Sequence, residues 1–132
     1  MIQEFRTEVY DKLVAGLPAK APVHRFIPDD LGTTPAVVVG RPAVNVSDQL
    51  PGAWDFDLTI YILGNRVSSR TAQDDLDVRA WAVVEILDIG DIKTNNITQA
   101  RVASVTPALT PVAGVEYPCY MVSLVGTSTI CR

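Results

Sequence analysis

The chain has 132 residues and a formal net charge of −4, with 48% hydrophobic and only 20% charged residues. Its length fits a single domain spanning residues 1–132, and its charge content lies below the usual share of about 25%, which favours a subunit whose apolar surface is covered by partners over a compact monomer. The acidic balance argues against tight nucleic-acid binding, which needs clustered Lys and Arg, although DNA could pass nearby unbound.

The N-terminal segment has the apolar spacing of a helix. Phe5, Val9, Leu13 and Leu17 recur every four residues, so the pattern predicts one helix from Ile2 to about Leu17. Two short strands are predicted next, over Val23–Ile27 and Pro35–Gly40, each bounded by proline or glycine. Residues 41–52 are expected to be irregular because Pro, Gly, Asn, Ser and Asp are frequent there.

The segment Trp54–Leu63 shows the alternation of a long strand. One face carries apolar residues that we expect in the core: Trp54, Phe56, Leu58, Ile60 and Ile62. The other face begins with Asp55, Asp57 and Thr59, so it should be partly open to solvent or to a partner.

A second helix should begin near Thr71 and end before Gly90. Thr71 and Asp74 resemble a capping box, although that motif prefers Glu or Gln at the later position. The expected buried stripe consists of Leu76, Ala80, Val83, Val84 and Leu87.

The last third of the chain predicts a hairpin. Its strands should cover Thr98–Thr106 and Tyr117 to about Cys131, with a long connection marked by Pro107, Pro111, Gly114 and Pro118. The order of elements predicts an α+β fold with one mostly antiparallel sheet and two main helices packed on one face.

No catalytic, cofactor or metal motif accompanies these elements. The acids Asp55, Asp57, Asp74, Asp75 and Asp77 could suggest a divalent cation site, but a solvated strand face and a helix start explain them better. His24 has no recognisable nucleophile beside it, and no phosphate-binding or G-x-S-x-G motif occurs. We therefore expect a protein that is not an enzyme and holds no cofactor or metal.

Cellular location is constrained by two further features. Cys119 and Cys131 are too few for a zinc site and are expected as buried thiols, with a disulfide as the alternative. No apolar run is long enough to span a membrane, and the charged N-terminus lacks the apolar centre of a signal peptide. We expect folding in a reducing cytoplasm.

Arg66 and Arg70 flank the loop before the second helix and could pair with acids of an adjacent subunit. The alternatives are loop solubility and, for Arg70, an ion pair with Asp74 one turn later.

Two other places are candidate interfaces. Trp54 and Trp81 are expected as core anchors, but Trp81 lies off the apolar stripe and could instead anchor an interface. Val112 and Val115 belong to the hairpin connection, whose tip could touch a neighbour or could simply be a surface loop.

The arrangement resembles bacteriophage tail terminators of long-tailed phages of actinobacteria. The resemblance lies in order and spacing along most of the chain, namely in EFRTEVYDKLVAGLP, PAVVVGRP, WDFDLTIYILG, TAQDDLDVRAWAVVEIL and GVEYPCYMVSLVGTSTI. It implies a structural virion protein of the tail or neck, assembled in the host cytoplasm.

Such a protein would form a hexameric ring on the head-proximal end of the tail tube, through head-to-tail contacts between copies. It would stop polymerisation of the tail tube protein and meet the head–tail connector, while DNA passes through the channel without specific binding. The alternatives are another neck or tail component (a connector, a completion protein or a tube subunit) and a small cytoplasmic binding module or enzyme accessory.

Overall fold

The computed structural model describes residues 2–17, 23–24, 36–46, 53–64, 70–89, 97–112 and 114–128. The elements in chain order are α1 (Ile2–Gly16), β1 (Val23–His24), β2 (Ala36–Val39), β3 (Ala43–Val46), β4 (Trp54–Leu63), α2 (Arg70–Ile89), β5 (Ile97–Val112) and β6 (Val115–Ser128). The strands form one sheet in the order β1-β2-β4-β6-β5, and β3 also pairs with β4. Only the β1–β2 pair is parallel among the described strands.

Both helices pack on the same face of this sheet, as the sequence predicts. Phe5, Val9 and Leu13 of α1 are buried together with the α2 stripe and with the inward residues of β2, β4 and β6. The rings of Phe5 and Phe56 lie 5.9 Å apart, so α1 contacts the inward face of β4 through this side chain. The predicted α+β class, with a mostly antiparallel sheet, is therefore confirmed.

Strand β4 is the centre of the sheet and has the predicted alternation. Phe56, Leu58, Ile60 and Ile62 are each at most 2% exposed, and Trp54 is half-buried against the same core. On the opposite face Asp57 is exposed and accepts a hydrogen bond of 2.8 Å from Ser123 of β6.

The region predicted to be irregular contains strand β3, so that prediction is wrong. β2 and β3 lie end to end along β4: Val39 is opposite Ile60, and Ala43 is opposite Asp57. Three residues lie between Val39 and Ala43, but only two lie between their partners on β4. The β2–β3 side therefore has one extra residue, which forms a β-bulge. The bulge explains why apolar and polar residues do not alternate continuously through β2 and β3. The extra residue reverses which side chains face the helices.

Gly40 marks the bulge. Its N–H donates to the carbonyl of Thr59 at 2.9 Å, and a Cβ at position 40 would lie 2.7 Å from the same oxygen. A side chain at this position would therefore push the two strands apart.

The hairpin is longer and its connection shorter than predicted. β5 and β6 stay paired up to Val112 and Val115, so only two residues connect them, and Gly114 has a φ of 79°. The prolines expected in a loop stand within the strands. Pro107 and Pro111 are tolerated because β5 is an edge strand, where a missing N–H can face outwards.

The helix boundaries agree with prediction within about two residues, apart from the proposed cap. Thr71 is the second residue of α2, so it does not occupy the N-cap position. The predicted first short strand is confirmed for Val23–His24, and residues 25–27 lie outside the described part.

Candidate assembly surface

The end of the β5–β6 hairpin extends past the neighbouring strand. β4 ends at Leu63, opposite Cys119, and the N–H of Gly64 donates to the carbonyl of Pro118 at 2.8 Å. Beyond that point the described strands provide only β5 and β6, which continue as a two-stranded ribbon to the turn. In this ribbon β6 is therefore no longer paired with β4.

Four apolar residues of β5 lie at alternate positions towards this end. Val105 is opposite Val122, a core residue beneath the helices, so alternation places all four on the helix side of the sheet. They are all exposed, with Val105 39% and Leu109 64% exposed. We call this row the β5 stripe: Val105, Pro107, Leu109 and Pro111.

The opposite face of the same strand is different. Ala108 packs against a smaller buried cluster on the side of the sheet away from the helices. Its most buried members are Ala36, Val38, Leu63, Tyr117 and Cys119. The stripe is thus the apolar face of β5 that lies beyond the helix layer, while the other face is partly buried.

Trp81 lies on the surface of α2 and is 61% exposed, so it is not a core anchor as expected. Val78, three residues earlier, is 68% exposed. An exposed tryptophan with an apolar neighbour one turn away is typical of a contact surface, because large aromatic side chains supply much of the energy of interfaces. This exposure excludes the core anchor, and the interface alternative for Trp81 stays a prediction.

A hydrogen bond ties the same flank of α2 to the hairpin. The hydroxyl of Tyr120 in β6 donates to Oδ1 of Asp77 at 2.8 Å. This bond, with desolvation and the negative charge of Asp77, raises the pKa of Tyr120 above its ordinary 10.0. Asp77 and Trp81 are four residues apart, so they share one side of the helix. The exposed indole is therefore on the flank that reaches towards β6.

The other predicted contact residues have side chains outside the described part of the chain. Arg66 lies outside the described residues, and Arg70 begins α2 with a side chain that is outside them too. Val112 and Val115 form the last pair of the hairpin, next to the turn, and their side chains are likewise not described. The exposed apolar residues missed by sequence reasoning are Val105 and Leu109. Their signal was present as alternation in VTPALTPV, but the prolines suggested a loop.

The acidic residues have structural partners. Asp75 forms an ion pair with Arg79 at 3.0 Å within α2, and Asp55 accepts a hydrogen bond from Thr127 at 3.1 Å. Within the described ranges, no group of three potential ligands is arranged to hold a metal ion. His24 lies half-buried in β1, at the edge of the sheet.

One open depression of about 600 Å³ lies along the outer side of α1. All its described lining residues come from this single helix: Gln3, Thr7, Glu8, Asp11, Lys12 and Ala15. Such a surface offers little enclosure, whereas ligand sites bury most of their ligand between several elements. Neither described helix has the length and apolarity needed to cross a membrane.

Comparison with protein-family models and with characterised proteins gives no match to this chain.

Cys119 is buried, 2% exposed, as expected, and Cys131 lies outside the described residues.

Proposed function

We propose that this chain is a structural subunit of a bacteriophage tail, a tail terminator that assembles as a hexameric ring. The ring would sit on the head-proximal end of the tail tube, end its polymerisation and meet the head–tail connector, with DNA passing through the channel. The element order that resembles tail terminators supports the family. The observation that carries the assembly role is the exposed apolar β5 stripe on the edge strand of the sheet.

Ring formation requires two different surfaces on each copy, because head-to-tail contacts join unlike patches. The β5 stripe and the Trp81–Val78 patch are two such surfaces, on a strand and on a helix. Leaving both in water is unfavourable, since burial of apolar area stabilises by roughly 25 cal/mol per Å². Contact between copies would cover them.

The assembly state of the purified chain tests this proposal. We expect six-fold particles by mass photometry and electron microscopy at micromolar concentration. Leu109→Asp should shift the particles towards monomer, because it places a charge in the stripe. Thr106→Asp is the matched control: Thr106 is exposed on the same strand but on the opposite face, so this variant should keep the assembly. A strictly monomeric protein, alone and with tail tubes, would count against the ring.

A second experiment separates a terminator from a tube subunit. Phage particles made without this protein should carry overlong or headless tails if it ends polymerisation. A complete absence of tails would identify a tube subunit instead. Normal particles would favour a binding module with no place in the virion.

A further inference from the structure

The N–H and C=O groups of successive β5 residues point alternately to β6 and to the open edge of the sheet. Two hydrogen bonds in the neighbouring strands show which residues of β5 face that edge. The carbonyl of Thr59 points to β2–β3, where it accepts from Gly40, and the carbonyl of Pro118 points to β4, where it accepts from Gly64. In antiparallel sheets, each residue directs its N–H and C=O to the same side, and the side alternates along the strand. Residues 118, 120, 122 and 124 of β6 therefore face β4 and not β5.

The residues of β5 opposite these positions consequently direct their main chain away from β6, to the open edge. They are Val102, Val105, Pro107, Leu109 and Pro111, which pair with Leu124, Val122, Tyr120, Pro118 and Glu116. Of Pro107, Leu109 and Pro111, only Leu109 has an N–H group, because proline lacks one. The two prolines are harmless to the β5–β6 ladder for the same reason, since their nitrogen atoms face away from it.

The earlier part of the same edge is irregular. The register shifts between Thr98 and Arg101 and again between Val102 and Ser104, so the outward N–H groups of Val102 and Val105 are not regularly spaced. An added strand needs successive donors and acceptors at every second residue. From Arg101 to Val112 the edge never offers two consecutive donors in register. Prolines and bulges are recognised ways in which proteins protect an edge from further pairing.

We infer that the outer edge of β5 is closed to strand addition from Arg101 to Val112. The inference does not depend on the proposed ring. If the ring forms, it specifies that neighbouring sheets are not joined through this part of the strand. A peptide in an extended conformation should not bind here by adding a strand.

Amide hydrogen exchange of the full chain tests this directly. Ala108 and Thr110 face β6 and should exchange roughly tenfold or more slowly than Leu109, whose N–H faces outwards. The Leu109 amide should stay fast when the concentration is raised and any assembly forms. Slow exchange of both Leu109 and Val105 in the assembled protein would show main-chain pairing at this edge and overturn the inference, whether or not the assembly is a ring. A monomeric protein would disfavour the ring but leave this measurement intact.

The double variant Pro107→Thr and Pro111→Thr should open the edge. It supplies two outward N–H groups in register with that of Leu109, so we expect association at concentrations at least ~10-fold lower than for the natural chain. The amides of residues 107, 109 and 111 should then become slow. Sedimentation velocity gives the size distribution.

Pro118→Thr is the matched control, because its new N–H would face β4 inside the sheet; it should keep the natural size distribution. Unchanged association and fast new amides in the double variant would refute the role of the prolines. If circular dichroism shows that the double variant does not fold, the single variant Pro111→Thr, next to the turn, provides the same comparison.

Discussion

The two ends of the β5–β6 hairpin are built from the same pair of strands but lie in different surroundings. At the base, Val122 and Leu124 are fully buried beneath the two helices. Towards the turn, Leu109 on the edge strand β5 is 64% exposed. Alternating apolar residues occur in both regions. What differs is whether a helix lies over them.

This difference separates two uses of apolar residues. Those at the base remove area from water on folding and stabilise the chain itself. Those of the β5 stripe remain in contact with water, so they contribute little to the stability of a single copy and are available to a partner. Substitutions of the same kind in the two regions should therefore have unlike consequences.

The largest contrast is expected between Leu58→Ala and Leu109→Ala. Leu58 is 0% exposed in the central strand, so its truncation leaves a cavity and should lower the free energy of unfolding by about 2–5 kcal/mol. Leu109→Ala should change it by no more than about 0.5 kcal/mol, as for other surface positions. Urea denaturation followed by circular dichroism measures both. Similar values for the two variants would break the distinction between a covered base and a free end.

Gly40, between β2 and β3, and Gly114, at the hairpin turn, give a smaller contrast. Gly40→Ala would place its Cβ 2.7 Å from the Thr59 carbonyl oxygen, and separating the strands should destabilise by about 1–3 kcal/mol. Gly114 meets nothing within 4 Å, but its φ of 79° disfavours other residues, so Gly114→Ala should destabilise by about 1 kcal/mol.

The companion variant Gly114→Asn separates the two causes, since asparagine tolerates positive φ. Thermal unfolding should place it between the natural chain and Gly114→Ala. Equal losses for Asn and Ala would mean that backbone conformation is not what selects glycine at the turn.

The elements with uninterrupted periodicity were predictable from sequence. The stripe from Leu76 to Leu87 and the alternation from Phe56 to Ile62 depend only on local spacing, and the core includes both. β3 was not predictable, because its pairing depends on β4, and the bulge at Gly40 breaks the alternation that would have revealed it. The proline-containing part of β5 was missed since the sequence does not state which strand lies at an edge.

The candidate surface was harder to predict than the fold. Trp81 was correctly seen to lie off the buried stripe, but its exposure depends on how much of α2 the sheet covers. Leu109 became recognisable as a contact residue only after the strand was found to continue through Pro107 and Pro111. Such features depend on tertiary arrangement, which no local pattern of residues specifies.

The smallest effect concerns the hydrogen bond that joins the covered region to the hairpin. Tyr120→Phe removes the 2.8 Å hydrogen bond to Asp77, which lies in an exposed setting, so we expect the free energy of unfolding to fall by less than about 1 kcal/mol at neutral pH.

The stability of the natural chain should also show a pH dependence that the variant lacks. The folded-state pKa of Tyr120 is raised, so the native state holds this proton more tightly than the unfolded chain. The contribution of the bond is therefore fully present below the unfolded value of 10.0 and is lost as the pH rises through the higher folded value.

Denaturation from pH 7 to pH 11 should accordingly bring the natural chain and Tyr120→Phe closer together at the alkaline end. Asp77→Ala is the second corner of a double-mutant cycle, because it removes the acceptor and leaves the hydroxyl in place. Tyr120→Phe should have almost no further effect in the Asp77→Ala background. A difference between the natural chain and Tyr120→Phe that stays constant across this pH range, or that persists in full without Asp77, would show that the hydroxyl acts through a contact other than Asp77. The bond between α2 and β6 would then make no measurable contribution.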